Sequence, residues 1–80
     1  MTRLTLFSRQ YCHLCHEMRA QLDVLAAEFR FELEVLDVDT DPELEARYNE
    51  LVPVLSHGSL ELARYRLDHE ALRAYLSRIR

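Results

Sequence analysis

Two cysteines, Cys12 and Cys15, lie between a strand-like and a helix-like stretch, and this placement limits the possible folds more than any other feature of the sequence. Leu4–Phe7 is short, apolar and followed by polar residues, which is typical of a strand. After the cysteines, apolar residues recur every three or four positions to about residue 29, which predicts an amphipathic helix. Cys12 is therefore expected at a helix start, where free N–H groups and the helix dipole stabilise a thiolate. Because Cys15 follows one turn later, the pair can cycle between dithiol and disulfide.

Length and composition indicate a small globular chain. The sequence has 80 residues, is 49% hydrophobic and 30% charged, and has a formal net charge of −4. This length predicts a single domain over residues 1–80, and no block is basic enough for a nucleic-acid footprint. Two cysteines are too few for the disulfide scaffold of a small secreted domain. No apolar run has the length of a membrane span and no secretory signal is visible, so we expect a cytoplasmic monomer with reduced thiols.

The rest of the pattern predicts the element order β-α-β-α-β-β-α. Period-two alternation over residues 31–35 indicates a second strand, and Asp41 marks the start of a short helix. A third strand opens at Pro53, a hairpin turn at Gly58 leads into the fourth, and Asp68 caps a final helix. A crossover makes the first two strands parallel, and the tight turn makes the last two antiparallel. We therefore expect an α/β fold with a mixed four-stranded sheet and helices on both faces.

Haem attachment, zinc binding and structural burial are three other roles that such a cysteine pair can have. Together with His16 the motif matches the C-x-x-C-H haem-attachment pattern, but Met18 is too close to His16 to reach the opposite face of a haem. A zinc site would combine the cysteines and His16 with a distant His57 or His69, and no second ligand pair has the usual spacing. Buried structural cysteines would have no reason to pair at this junction. These observations favour thiol–disulfide chemistry and no bound metal.

Several stretches carry a resemblance to a known family: Leu4–Phe7 with Cys12–Cys15, Leu36–Leu44, Val52–Leu55 and Arg66–Asp68. They resemble the glutaredoxin branch of the thioredoxin superfamily, and more narrowly the small bacterial glutaredoxin-like proteins with a C-x-L-C motif. The resemblance extends over essentially the whole chain. It implies a thioredoxin-like fold of the glutaredoxin type, and disulfide exchange in which Cys12 attacks and Cys15 resolves.

The same resemblance implies a substrate groove around the cysteines. The peptide bond between Val52 and Pro53 is expected to be cis, presenting the backbone to an incoming peptide or to glutathione. Arg9 stands where glutaredoxins carry a basic residue for a glutathione carboxylate. His13 would tune the nucleophilic thiolate by charge or hydrogen bond, and Tyr11 would shield the site as an apolar wall.

Two departures from the family pattern bear on the co-substrate. His13-Leu14 replaces the usual pair between the cysteines, and Arg64-Tyr65 replaces the Gly-Gly that lets glutathione approach the backbone. We expect a thiol–disulfide oxidoreductase without a bound cofactor, acting on disulfides of proteins or of glutathione. Electrons would come from glutathione as co-substrate or from a reductase. The alternatives on the same fold are a metal or iron–sulfur binding module and a redox-sensing interaction domain without turnover.

Overall fold

The structure is a computed structural model that describes residues 1–79. Over these residues the helices and strands follow the predicted order β-α-β-α-β-β-α. They are β1 (Arg3–Ser8), α1 (His13–Phe29), β2 (Glu32–Asp37), α2 (Pro42–Tyr48), β3 (Val54–His57), β4 (Leu60–Arg64) and α3 (His69–Arg78). Two short 3-10 turns, Val38–Thr40 and Asn49–Leu51, flank α2 without a counterpart in the predicted pattern. Among residues 1–79, no helix is both long and apolar enough to cross a bilayer.

The sheet has four strands in the order β2-β1-β3-β4. β1 runs parallel to β2 and antiparallel to β3, and β3 is antiparallel to β4. Leu6 of β1 is paired with Val35 on one side and with Leu55 on the other. The hairpin between β3 and β4 turns at Gly58, whose φ of +62° is the left-handed conformation that glycine adopts without strain. The mixed four-stranded sheet predicted from the sequence is confirmed.

The main core lies between the sheet and the helices α1 and α3. Alternate residues of β1 project from one face of the strand and meet the apolar stripe of each helix. The buried members of this core are Leu4, Leu6, Met18, Leu22, Leu25, Phe31, Leu55, Leu72 and Leu76. Burial of these side chains is the main force that holds the start of α1 beside the end of β1.

The opposite face of the sheet is covered in part by α2. Phe7 of β1 stacks on Tyr48 at the end of α2, with ring centroids 4.1 Å apart. Leu44, Tyr48 and Phe7 pack against a smaller core that includes Val38 and Val52. Helices on both faces of the sheet are therefore confirmed. Because α2 has only 7 residues, it leaves a groove on this face beside β4.

The starts of α2 and α3 lie at the predicted capping residues. Asp41 Oδ1 accepts a hydrogen bond from the Glu43 N–H at 2.9 Å, and Asp68 Oδ1 accepts one from the Ala71 N–H at 3.1 Å. Such caps satisfy N–H groups that have no partner inside the helix. α1 ends at Arg30, which adopts the left-handed conformation (φ 59°, ψ 48°).

A bulge interrupts β4 at Leu62. Ser56 pairs with Glu61 and Leu55 pairs with Ala63, so one residue of β4 has no partner in β3. Leu62 and Ala63 both pack against the main core, whereas regular alternation would send neighbours to opposite faces. The bulge shifts the alternation, and residues 61 and 64 consequently lie together on the face covered by α2.

Candidate active site

The cysteine pair lies at the junction of β1 and α1. Cys12 is the N-cap of α1, as predicted, and its backbone is extended (φ −130°, ψ 108°). Its Sγ accepts a hydrogen bond from the Cys15 N–H, with an N···S distance of 3.2 Å. The sulfur thus satisfies one of the free N–H groups at the helix start, in the position that a serine or aspartate oxygen commonly occupies.

Cys12 and Cys15 form a disulfide, with Cα atoms 5.2 Å apart. The two cysteines differ in exposure: Cys15 is 1% exposed, whereas Cys12 is half-buried. Cys15 packs with Val38 and Val52 in the smaller core. A group arriving from solvent can therefore contact Cys12, while Cys15 faces the interior of the protein.

The segment before β3 brings Val52 to the cysteines. The Val52–Pro53 peptide bond is cis. Val52 is 8% exposed and packs in the same cluster as Cys15, and Pro53 next to it is fully buried. The Pro53 carbonyl accepts a hydrogen bond from the Tyr65 N–H at 2.9 Å. This bond ties the turn before α3 to the segment beside the disulfide.

Arg9 lies in the loop between β1 and α1 and is paired with an acid. Its Nε donates to Asp39 Oδ1 at 3.0 Å, and the arginine side chain is 25% exposed. Among residues 1–79, the two Nη nitrogens of Arg9 have no hydrogen-bond partner. Asp39 is a member of this site that was not predicted from the sequence. The signal that identifies it is its position just after β2, whose carboxyl end meets that of β1 at the same edge of the sheet.

The side chains of His13 and Tyr11 are both exposed. His13 Nε2 pairs with Glu17 Oε1 at 3.1 Å, and the histidine side chain is 86% exposed. Its partner is Glu17 and not Cys12, because side chains four residues apart are neighbours on a helix. Tyr11 is 95% exposed, because residues 10–11 form a turn at the surface, outside the packed layers. Its role as an apolar wall beside a bound substrate stays a prediction.

The ligand set considered for zinc is not assembled by the described residues. Within residues 1–79, no three histidine, cysteine, aspartate or glutamate side chains come together in a cluster able to hold a metal ion. His57 instead lies beside α3, where its Nδ1 is 2.5 Å from the Tyr75 Oη. The cysteines themselves form a disulfide; Val52 packs with Cys15, and Arg9 and Cys15 line the same small cavity.

The mixed sheet, the helices on both of its faces and the cysteine pair at the start of α1 together define a thioredoxin-like protein. Comparison with protein families is more specific. The chain matches the family described as glutaredoxin-like domain (DUF836) over residues 3–77, and it belongs to that family. The resemblance stated from the sequence is confirmed.

Solved structures agree with this assignment. A protein from Nitrosomonas europaea is 42% identical with a TM-score of 0.78, over 92% of this chain and 89% of that chain. A protein from X. campestris is 32% identical with a TM-score of 0.71, over 94% of this chain and 96% of that chain. The thioredoxin of Fasciola hepatica is 25% identical with a TM-score of 0.65, over 98% of this chain and 80% of that chain. The thioredoxin-like fold with its cysteine pair supports a redox-type function.

Proposed function

We propose that this protein is a thiol–disulfide oxidoreductase that reduces disulfides of proteins or mixed disulfides with glutathione. The observation that carries the proposal is the half-buried Cys12 at the N-cap of α1, joined in a disulfide to the buried Cys15. One sulfur is open to a substrate, and the other is held next to it inside the protein. This is the arrangement that a dithiol needs to attack in one step and resolve in the next.

The exchange balances in two steps. In the reduced protein, the Cys12 thiolate attacks one sulfur of the substrate disulfide, forming a mixed disulfide and releasing the other substrate sulfur as a thiolate. The Cys15 thiolate then attacks Cys12 Sγ, forming the Cys12–Cys15 disulfide and releasing the second substrate thiolate. The dithiol loses two electrons and the substrate gains them. Glutathione or a reductase returns the protein to the dithiol form.

The charge pattern of α1 supports Cys12 as the attacking sulfur. The first turns of α2 and α3 contain acids, Glu43 and Glu45 in one and Glu70 in the other. The first turn of α1 contains none. No carboxylate in that turn therefore weakens the positive end of the helix dipole, which lies at Cys12. The Cys12 sulfur also accepts a hydrogen bond from the Cys15 N–H. Both effects favour the thiolate, which is the reactive form.

The turn before α3 favours a protein disulfide over glutathione as the substrate. Tyr65 occupies this turn with a φ of +67°, and the Arg66 N–H donates to the Arg64 carbonyl at 2.7 Å. The Arg66 N–H is therefore already hydrogen-bonded within the protein. The Tyr65 side chain occupies a position that is glycine in the glutaredoxin pattern. Arg9, whose Nη nitrogens have no partner among the described residues, and the backbone at Val52 are the groups proposed to contact the substrate. The proposed setting is the cytoplasm, where thiols are kept reduced.

The test compares two single substitutions on a peptide disulfide. Cys12→Ser should abolish exchange, because the other cysteine, Cys15, is only 1% exposed. Cys15→Ser should leave the first attack intact and accumulate a mixed disulfide on Cys12, visible by mass spectrometry. Circular dichroism of both variants checks that the fold is kept. Full exchange activity in Cys12→Ser would defeat the proposal.

A further inference from the structure

A second groove lies on the other side of the sheet from α1 and α3. It is about 420 Å³ in volume and runs between the C-terminal part of α2 and the strand β4. Its floor is formed by Phe7, Val54 and Ser56, neighbours on the same face of β1 and β3. The volume falls within the range of small-molecule sites, about 300–1,000 Å³. The groove exists because α2 is too short to cover this face.

One wall of the groove is apolar and aromatic. The stacked rings of Phe7 and Tyr48 form it, together with the buried Val54 and the half-buried Leu51. Flat aromatic surfaces bind the apolar body of a ligand and favour a second ring stacked or edge-on. This wall selects a ligand with an apolar part.

Two guanidinium groups border the groove. The Arg47 guanidinium lies 5.9 Å from the centre of the Tyr48 ring and has no carboxylate partner among residues 1–79. Arg64 is held by Glu61, with Nη2 donating to Oε1 at 2.8 Å. The bulge in β4 makes this pair, because it puts residues 61 and 64 on one face. Two arginines against one glutamate leave the rim with one net positive charge.

A buried hydroxyl opens into the same groove. Ser56 is 7% exposed, and no residue among 1–79 makes a hydrogen bond with its side chain. The hydroxyl oxygen still has some contact with solvent, because every fully enclosed side-chain polar atom among the described residues has a hydrogen-bond partner. A polar group this buried ordinarily has a hydrogen-bond partner, and leaving it unpaired costs free energy. The hydroxyl is therefore free to bond a ligand that enters the groove.

We propose that this groove binds a small organic monocarboxylic acid with an apolar body. The carboxylate accepts hydrogen bonds from Arg47, whose planar fork matches its two oxygens, and from the Ser56 hydroxyl. The apolar body lies against Phe7 and Tyr48. The net charge of +1 at the rim of the groove matches a ligand with one negative charge. A doubly charged phosphate is disfavoured, because the Glu61 carboxylate repels it. The proposal stands apart from the disulfide chemistry, because Cys12 and Cys15 do not line this groove.

Binding is tested with phenylacetate, which combines one carboxylate with one ring. Amide NMR spectra of the full-length protein should show saturable shifts at residues lining the groove, with the Tyr48 ring signals moving in parallel. Phenylacetamide, which keeps the ring and loses the charge, should bind at least about tenfold more weakly, a difference of about 1.4 kcal/mol. Phenyl phosphate should also bind more weakly than phenylacetate. Equal binding of the amide, or no shifts with phenylacetate, would overturn the proposal.

Substitutions assign the contacts. Arg47→Gln should weaken phenylacetate binding about tenfold, the usual effect of losing a charged hydrogen bond. Arg78→Gln, near the end of α3, removes the same charge elsewhere and should leave the affinity unchanged. Ser56→Ala should weaken binding about threefold to tenfold while the spectrum of the free protein stays folded. If Arg78→Gln weakens binding as much as Arg47→Gln, the effect is one of overall charge and the proposal fails.

A carboxylate can also reach this groove on a polypeptide, and a further titration separates the two sources. A short peptide ending in phenylalanine presents the same ring and carboxylate as part of a chain. We expect this peptide to bind no tighter than phenylacetate. Binding at least about tenfold tighter than phenylacetate would assign the groove to a protein terminus and overturn the proposal for a free acid.

Discussion

Among residues 1–79, two residues other than glycine have a strained, positive φ: Arg30 at 59° and Tyr65 at 67°. Arg30 ends α1, where glycine is the common residue because it lacks the Cβ that clashes in this conformation. Tyr65 lies in the turn before α3 and is bonded through its N–H to the Pro53 carbonyl. A residue other than glycine costs about 1 kcal/mol or more in this conformation. At Tyr65 the strain lies next to the proposed substrate groove.

The strain at Arg30 leads to a prediction. Arg30→Gly should be more stable than Arg30→Ala by about 1 kcal/mol, because glycine adopts the left-handed conformation without a Cβ clash. Alanine is the matched control, since both substitutions remove the same exposed, charged side chain. The free energy of unfolding in urea measures the difference. A glycine variant no more stable than the alanine variant would contradict the left-handed end of α1.

At the scale of elements, the three helices differ in how their starts are capped. α2 and α3 begin at aspartates and have acids in their first turns, whereas α1 begins at a cysteine and has none there. Negative charge at a helix start stabilises the helix and weakens the positive potential of that end. α1 therefore lacks the stabilisation that an acidic side chain gives a helix start, and it lacks it at the helix start where a thiolate is proposed to form.

This contrast predicts the effect of adding an acid at the start of α1. His13→Glu should slow alkylation of Cys12 in the reduced protein about twofold to threefold at neutral pH, because the new carboxylate disfavours the thiolate. His13→Gln is the control, since it has nearly the same shape without the charge. Alkylation with iodoacetamide, followed by mass spectrometry, gives both rates. Equal rates in the two variants would show that the field of α1 does not act on Cys12.

At the scale of the whole molecule, α1 and α3 are joined across one face of the sheet by a bidentate ion pair. Arg73 Nη1 and Nη2 donate to the two oxygens of Glu28 at 2.5 and 2.8 Å. These hydrogen bonds hold the pKa of Glu28 below its usual range. The same pair raises the pKa of Arg73, which stays charged. Because Glu28 is ionised more readily in the folded protein than in the unfolded chain, the pair stabilises the fold only while the glutamate is charged.

The sign of this linkage gives a pH prediction. The stabilisation by Glu28 should be present above the unfolded carboxyl pKa of about 4.3 and should disappear as the pH falls through the lower folded value. The difference in unfolding free energy between the wild type and Glu28→Gln should therefore shrink on acidification from about pH 7 to about pH 2. Urea titrations at several pH values measure it. Asp23→Asn on the same helix is the control for loss of one negative charge, and a difference that is constant with pH would contradict the pair.

Much of the fold was predictable from local sequence patterns. The repeat of apolar residues after Cys15 predicts α1, the alternation at 31–35 predicts β2, and Asp41 and Asp68 mark the starts of α2 and α3. These features are encoded by neighbours in the chain, so periodicity and capping identify them. The His13–Glu17 pair belongs to the same class, because its spacing of four residues is visible in the sequence.

Contacts between distant segments were not predictable in the same way. Arg9 meets Asp39 only because β1 and β2 lie side by side and end at the same edge of the sheet. The bulge at Leu62 is not marked by a glycine or a proline, and only the pairing of β4 with β3 reveals it. The groove below α2 likewise depends on how far a short helix reaches across a sheet.

The element order, the family and the place of the cysteine pair between a strand and a helix are all readable from the amino-acid sequence, because each is encoded by residues close together in the chain. The burial of Cys15, the partial exposure of Cys12 and the exposure of Tyr11 become visible only in the packed fold. The same is true of the groove that Arg47, Ser56 and Phe7 line together. Exposure and long-range contacts depend on how the layers pack, and packing is a property of the whole chain.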